Sequence, residues 1–147
     1  MDENEKASVQ ANVTRAMVVL NKIDSTSKRL ISSFKQLITL REIITGNNEE
    51  IDYSDLLNSK LLLVASFFLY KNNCGFMDEH NDPTTSSPNL IIVTNEKNIN
   101  YQAGGLFIVK NNRKYTLEKY VNKGDVIILN TNKFTHGVEK IKGIDTS

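Results

Sequence analysis

The chain has 147 residues, of which 39% are hydrophobic and 24% are charged, and this balance is typical of one globular domain spanning residues 1–147. Its formal net charge is +1, with acidic and basic residues mixed along the sequence, so no charged block favours binding to nucleic acid or to an anionic membrane. The single cysteine, Cys74, excludes an internal disulfide and a cysteine-rich zinc site, and a reducing cytoplasm is the expected compartment.

The first fifty residues have a helical pattern, after a polar N-terminus that does not resemble a secretory signal. Val13, Met17 and Leu20 fall at positions i, i+4 and i+7, and a cleaner apolar stripe runs through residues 30–38. Gly46 supplies a residue that accepts left-handed dihedral angles where the second helix should end. The pattern predicts two N-terminal helices that support the rest of the domain by packing on a sheet.

From about residue 60 onward, short apolar runs alternate with turn residues. Aromatic and β-branched side chains are common in these runs, which predicts strands at residues 61–70, 90–94, 106–109, 115–117, 125–129 and 138–141. Asn111 and Asn112 predict a hairpin, and the longest irregular stretch is 95–105. The run 61–70 is too short to cross a bilayer as a helix, so no membrane partner is expected. The overall expectation is an antiparallel sandwich or barrel.

The two histidines of the chain lie in this β-rich part. His80 precedes Asp82 by two residues, so in an extended segment both side chains point to the same face. With His136 from a distant segment, they would form the two-histidine, one-carboxylate set that binds non-haem Fe(II) and leaves coordination positions open. An isolated H-x-D also occurs by chance in many proteins, and a lone histidine is more often a surface or core residue.

Four segments occur in an order that resembles Fe(II)/2-oxoglutarate-dependent oxygenases, and the likeness is strongest to prolyl-hydroxylase-like members. They are HND at 80–82, YQAGGLFIV at 101–109, KGDVIILN at 123–130 and HGVEKI at 136–141. The resemblance covers residues 61–147. It implies an α+β, mainly β fold whose core is a double-stranded β-helix, or jelly roll, with the two N-terminal helices packed on it.

The resemblance also implies an activity, in which Fe(II), 2-oxoglutarate and O₂ are used to hydroxylate a protein side chain or a small molecule, with release of succinate and CO₂. His80, Asp82 and His136 would be the metal ligands and the catalytic centre. The carboxylate at position 82 favours hydroxylation over halogenation, because related halogenases lack it.

Tyr70 would contact 2-oxoglutarate, although a core tyrosine with a satisfied hydroxyl is an equal alternative for it. Tyr101 would contact substrate from its loop, where the neighbouring Gly104 and Gly105 would let the backbone approach closely or would simply allow a bulge.

One departure from the family pattern concerns the basic residue that anchors the far carboxylate of 2-oxoglutarate. The family places it in the strand after the distal histidine, whereas Lys140 and Lys142 come early and are expected to be surface lysines. Arg113, in the predicted hairpin, is expected at the surface as well. We therefore expect a core that is incomplete at its C-terminal end, or one that binds its co-substrate differently.

Two other functions remain open on the sequence. One is a catalytically inactive metal-binding or regulatory domain of the same fold, which the missing anchor favours. The other is a cupin-type metal enzyme that does not use 2-oxoglutarate; it is disfavoured because cupins usually have a second histidine where this chain has Asp82.

Overall fold

The computed structural model describes residues 9–19, 28–46, 64–83 and 88–144. The chain divides into two compact units, one formed by Met1–Thr14 with Leu69–Ser147 and the other by Arg15–Phe68. The prediction of one domain over residues 1–147 therefore stays a prediction. Within the described ranges the elements are β1 (Ala11–Asn12), β2 (Thr14–Val19), α1 (Lys28–Thr45), β3 (Val64–Leu69), β4 (Phe76–His80), β5 (Asn89–Ile92), β6 (Ala103–Lys110), β7 (Arg113–Thr116), β8 (Val126–Leu129) and β9 (His136–Lys142).

The first unit contains two antiparallel sheets. Five strands form the larger sheet in the order β1-β4-β9-β6-β7, and β5 pairs with β8 in the smaller one. In the larger sheet β9 lies between β4 and β6, with His80 opposite His136 and Ile108 also opposite His136. Phe107, with 2% of its surface exposed, and Ile141 are buried residues of the larger sheet, while Leu129 is buried in the smaller one.

The strands predicted from the apolar runs are confirmed within the described residues. The predicted hairpin is also confirmed: β6 and β7 pair through Lys110 and Arg113, and Asn111 and Asn112 between them have φ of 51° and 57°. Asparagine tolerates this left-handed region because its short polar side chain hydrogen-bonds locally. Gly104 has φ of 93° at a shift in register between β6 and β9, which matches the bulge that the glycine pair allowed.

One of the two predicted N-terminal helices is present. The helix α1 begins at Lys28 and ends at Thr45, and Gly46 follows with φ of 73°, as the sequence predicted. Within the described residues no helix combines the length and the apolar character that crossing a bilayer requires. Because α1 lies in the second unit, its predicted packing on the sheet is left as a prediction.

The prediction of a first helix through Val13 and Met17 is wrong. Met17 lies in strand β2, Val13 lies between β1 and β2, and Leu20 lies outside the described residues. A spacing of four residues is even, so it places two side chains on one face of a strand as well as on one face of a helix. Val18 and Val19 then favour the strand, since β-branched side chains are less restricted there.

The mainly β character of the chain is confirmed, and the described strands that pair in the first unit do so antiparallel. The more specific double-stranded β-helix stays a prediction. Strand β4 was not predicted, because its sequence FMDEH has only two apolar residues before three polar ones. Its neighbours β1 and β9 hold it in the sheet, and it carries His80.

Candidate metal centre

The three predicted metal ligands lie together at the end of the larger sheet. The Nε2 atom of His80 is 3.5 Å from Oδ1 of Asp82, and the Nε2 atom of His136 is 3.9 Å from Oδ2 of Asp82. One ligand atom from each residue lies within 4.8 Å of the others. First-row metals bind such atoms at about 2.0–2.2 Å, which separates neighbouring ligands of an octahedron by roughly 3 Å. Small side-chain rotations would therefore close the set around one ion.

Backbone pairing and side-chain hydrogen bonds hold the two remote segments together. His80 and His136 are opposite each other in β4 and β9, and their rings have centroids 4.4 Å apart. The backbone N–H of Asp82 donates to the Thr131 carbonyl at 3.0 Å. Asn81 accepts a hydrogen bond from the Thr135 hydroxyl at 2.9 Å and donates to the Asn132 carbonyl at 3.3 Å. These hydrogen bonds hold residues 80–82 against the segment that ends at His136.

Both imidazole rings are oriented by a backbone carbonyl two residues earlier in the chain. Nδ1 of His80 lies 2.8 Å from the Asp78 carbonyl oxygen, and Nδ1 of His136 lies 3.2 Å from the Phe134 carbonyl oxygen. A carbonyl only accepts, so each Nδ1 carries the proton and each Nε2 of a neutral ring presents a lone pair. This arrangement of a second ring nitrogen on a carbonyl is usual for histidines that bind metals.

The centre therefore collects acceptors that face one another. With neutral rings, two Nε2 lone pairs and the Asp82 carboxylate converge, at separations longer than the roughly 2.7–3.2 Å of an N–H···O hydrogen bond. Burial lowers the pKa of His136 below its ordinary value of 6.5, and the nearby His80 lowers it as well; the Phe134 carbonyl and Asp82 act in the opposite direction. In its neutral form His136 offers the Nε2 lone pair that binding to a metal requires.

Asn89 and Thr131 complete the surroundings of Asp82, and the sequence did not predict this. The Asn89 side-chain amide donates to Oδ2 of Asp82 at 2.8 Å and to the Thr131 hydroxyl at 3.1 Å. Thr131 is only 1% exposed. No sequence pattern links an asparagine at a strand start to a carboxylate seven residues earlier.

Within the described residues, no hydrogen bond or ion pair links Tyr70 or Tyr101, the other predicted site residues, to the three ligands. Tyr101 is 7% exposed, and its hydroxyl donates to Oε2 of Glu118 at 2.5 Å. Glu118 accepts a second hydrogen bond from the backbone N–H of Leu106. Tyr70 is half-buried at the end of β3. Its contact with 2-oxoglutarate, and that of Tyr101 with substrate, stay predictions.

The buried tyrosines give the protein a predicted sensitivity to alkaline pH. Burial raises the pKa of Tyr70 to about 12, and burial, with the Glu118 hydrogen bond and charge, raises the pKa of Tyr101 above its ordinary value. The unfolded chain ionises its tyrosines near pH 10. The contribution of these two tyrosines to folding stability should therefore be constant below about pH 10 and should be lost as the pH rises beyond it.

Urea unfolding at several alkaline pH values would measure this loss in the wild type and in Tyr101→Phe. The variant should lose less stability per pH unit, because it lacks one of the raised hydroxyls. Tyr120→Phe is the matched control, since Tyr120 is 68% exposed, and it should follow the wild type. A Tyr101→Phe profile parallel to that of the wild type would contradict the prediction.

Comparisons of the chain with protein-family models, with curated proteins and with solved structures find no match. Any function assigned to the centre therefore depends on its own geometry and chemistry.

Proposed function

We propose that the chain is a non-haem Fe(II) oxygenase that uses 2-oxoglutarate and O₂ to hydroxylate a protein side chain or a small molecule, releasing succinate and CO₂. His80, Asp82 and His136 would hold the iron. One observation supports this more than any other: each histidine has its Nδ1 on a backbone carbonyl, and both Nε2 atoms face the same carboxylate.

The donor set favours a divalent metal that keeps open coordination positions and exchanges ligands. Two imidazoles and one carboxylate form the set used by Fe(II) oxygenases, in which the remaining coordination positions take co-substrate and O₂. Structural zinc sites instead use four protein ligands. Within the described residues, three histidine or carboxylate side chains form this group, which leaves positions for exogenous ligands.

The chain's own residues would prepare the centre before any reaction. The carbonyl oxygens of Asp78 and Phe134 would hold each Nδ1–H, so that the Nε2 lone pair of each neutral ring is directed at the site. His136 is 7% exposed, so its side of the centre is shielded from water. When bound, iron and 2-oxoglutarate supply the oxidising power, and the protein supplies ligand geometry and substrate position.

An inactive metal-binding or regulatory domain of the same fold is the second candidate. Lys140 and Lys142 are exposed on β9, and Arg113 is exposed at the start of β7, as expected for surface residues. The described part of the chain thus leaves the anchor for the far carboxylate of 2-oxoglutarate unassigned. Such a domain would bind metal without binding 2-oxoglutarate.

Anaerobic Fe(II) binding followed by aerobic incubation with 2-oxoglutarate tests the proposal. The wild type should bind Fe(II) and form succinate even without a prime substrate, while His80→Ala and His136→Ala should form none. Glu79→Ala is the matched control, because Glu79 neighbours His80 but pairs with Lys114 at the surface. Fe(II) binding without succinate or 2-oxoglutarate binding would support the second candidate and overturn the first.

A further inference from the structure

The Asp82 carboxylate has different surroundings at its two oxygens. Oδ2 accepts the Asn89 amide at 2.8 Å and lies 3.9 Å from Nε2 of His136, whereas Oδ1 has no such amide donor within the described part of the chain and lies 3.5 Å from Nε2 of His80. A hydrogen-bonded oxygen has one lone pair engaged, and the donating N–H carries a partial positive charge that opposes a cation beside it. The two oxygens therefore offer unequal positions to a metal.

Asn89 reaches Asp82 from the other sheet of the unit. It begins β5 in the smaller sheet, while His80 and His136 belong to the larger sheet. Its amide nitrogen also donates to the hydroxyl of Thr131, whose carbonyl accepts the backbone N–H of Asp82. The side chain and the backbone of Asp82 are thus both tied to Thr131, so the carboxylate has little freedom to rotate.

We propose that Asn89 is a positioning residue that makes Asp82 bind the metal through one oxygen. It would hold Oδ2 and direct Oδ1 to the ion. This inference rests on the proposed metal centre. A carboxylate that bound through both oxygens would fill one more coordination position, and the centre needs its open positions for co-substrate and O₂. Asn89 would thus control how many exogenous ligands the ion can take.

Loss of Asn89 has two expected consequences. The carboxylate can rotate and present both oxygens, so the coordination of the ion changes. The affinity should also fall, because partners of metal ligands typically contribute 10–100-fold to metal affinity. A role confined to stabilising the fold would lower stability in the absence of metal and leave the coordination of bound metal unchanged.

Co(II) is the probe for the test, because its visible absorption reports the number and geometry of its ligands. We would measure the Co(II) dissociation constant, the absorption spectrum of the bound ion and metal-free thermal unfolding for the wild type, Asn89→Ala and Thr131→Val. Thr131→Val removes the hydroxyl that holds Asn89 but keeps the carbonyl that holds Asp82. Asn100→Ala is the matched control, since it also removes an asparagine side chain that makes a hydrogen bond, here an exposed one bonded to the backbone N–H of Glu96 rather than to a proposed metal ligand.

Asn89→Ala should weaken Co(II) binding by about 10–100-fold and change the spectrum. Thr131→Val should shift both in the same direction by less, and Asn100→Ala should keep the wild-type affinity and spectrum. A wild-type spectrum and affinity in both Asn89→Ala and Thr131→Val would overturn the inference and leave the metal centre standing. If Asn89→Ala does not fold, the Co(II) affinity and spectrum of Thr131→Val alone decide the test. A wild type that binds neither Co(II) nor Fe(II) would overturn the metal centre, and the inference with it.

Discussion

Replacement of Asp82 by asparagine should lower the affinity for Fe(II) or Co(II) by more than about 100-fold, because a direct ligand contributes more than the outer partners that account for 10–100-fold. The substitution keeps the shape of the side chain and leaves an oxygen for the Asn89 amide. It removes the negative charge that both Nε2 atoms face. Equilibrium binding under anaerobic conditions would measure the loss.

The same substitution should abolish stabilisation by metal. A ligand that binds only the folded state adds about 2.7 kcal/mol to the free energy of unfolding when its free concentration is 100 times its dissociation constant. The wild type should therefore unfold at a higher temperature with metal, and a chelator should reverse the gain. The melting temperature of Asp82→Asn should not respond to either addition.

Asp78→Asn is the control for this change, because it makes the same substitution at the same spacing from His80, two residues before it instead of two after. The Asp78 side chain is exposed, and the contact with His80 comes from its backbone carbonyl, which the substitution keeps. Metal binding and metal-dependent stability should match those of the wild type. Equal metal affinity in Asp82→Asn and Asp78→Asn would reject Asp82 as a ligand.

The strands were predictable where the sequence places apolar residues next to turn residues with distinctive backbone preferences. Asn111 and Asn112 are an example, since few residue types accept two successive left-handed conformations. The segment Phe76–His80 was not predictable, because its polar residues gain strand structure from pairing with β1 and β9. Tertiary pairing of this kind leaves no local periodicity to read.

The candidate centre was predictable in its ligands and not in its surroundings. His80 and Asp82 share a face because of their spacing, and His136 was the one remaining histidine. The carbonyls of Asp78 and Phe134 act through the backbone, which every residue has, so the residue types give no signal. The Asn89 contact depends on how the smaller sheet meets the larger one, and an asparagine before a strand is commonly a turn residue.

Replacement of Gly137 by alanine should both destabilise the fold and weaken metal binding. An added Cβ would lie 2.7 Å from the carbonyl oxygen of Met77, 2.7 Å from the Phe107 ring and 3.0 Å from the carbonyl oxygen of Asp78. Two of these neighbours are the backbone of β4, which can move only by disturbing its pairing with β9. Overpacking of this kind costs about 1–3 kcal/mol, which exceeds the 0.4–1 kcal/mol that alanine gains by restricting the unfolded chain.

Metal binding should weaken because the backbone atoms that would have to move also position the proposed metal ligands. The Asp78 carbonyl orients His80, and Gly137 directly follows His136, so a displaced β4 would separate the two rings. Gly143→Ala is the matched control: its nearest neighbour is the Asn72 side chain at 3.1 Å, which can rotate away, so stability should stay within about 1 kcal/mol of the wild type. Urea unfolding and Co(II) titration of both variants measure the two effects. Wild-type stability in Gly137→Ala would show that β4 and β9 pack less closely than the contacts at Gly137 require. The pairing that brings His80 next to His136 would then lose its support.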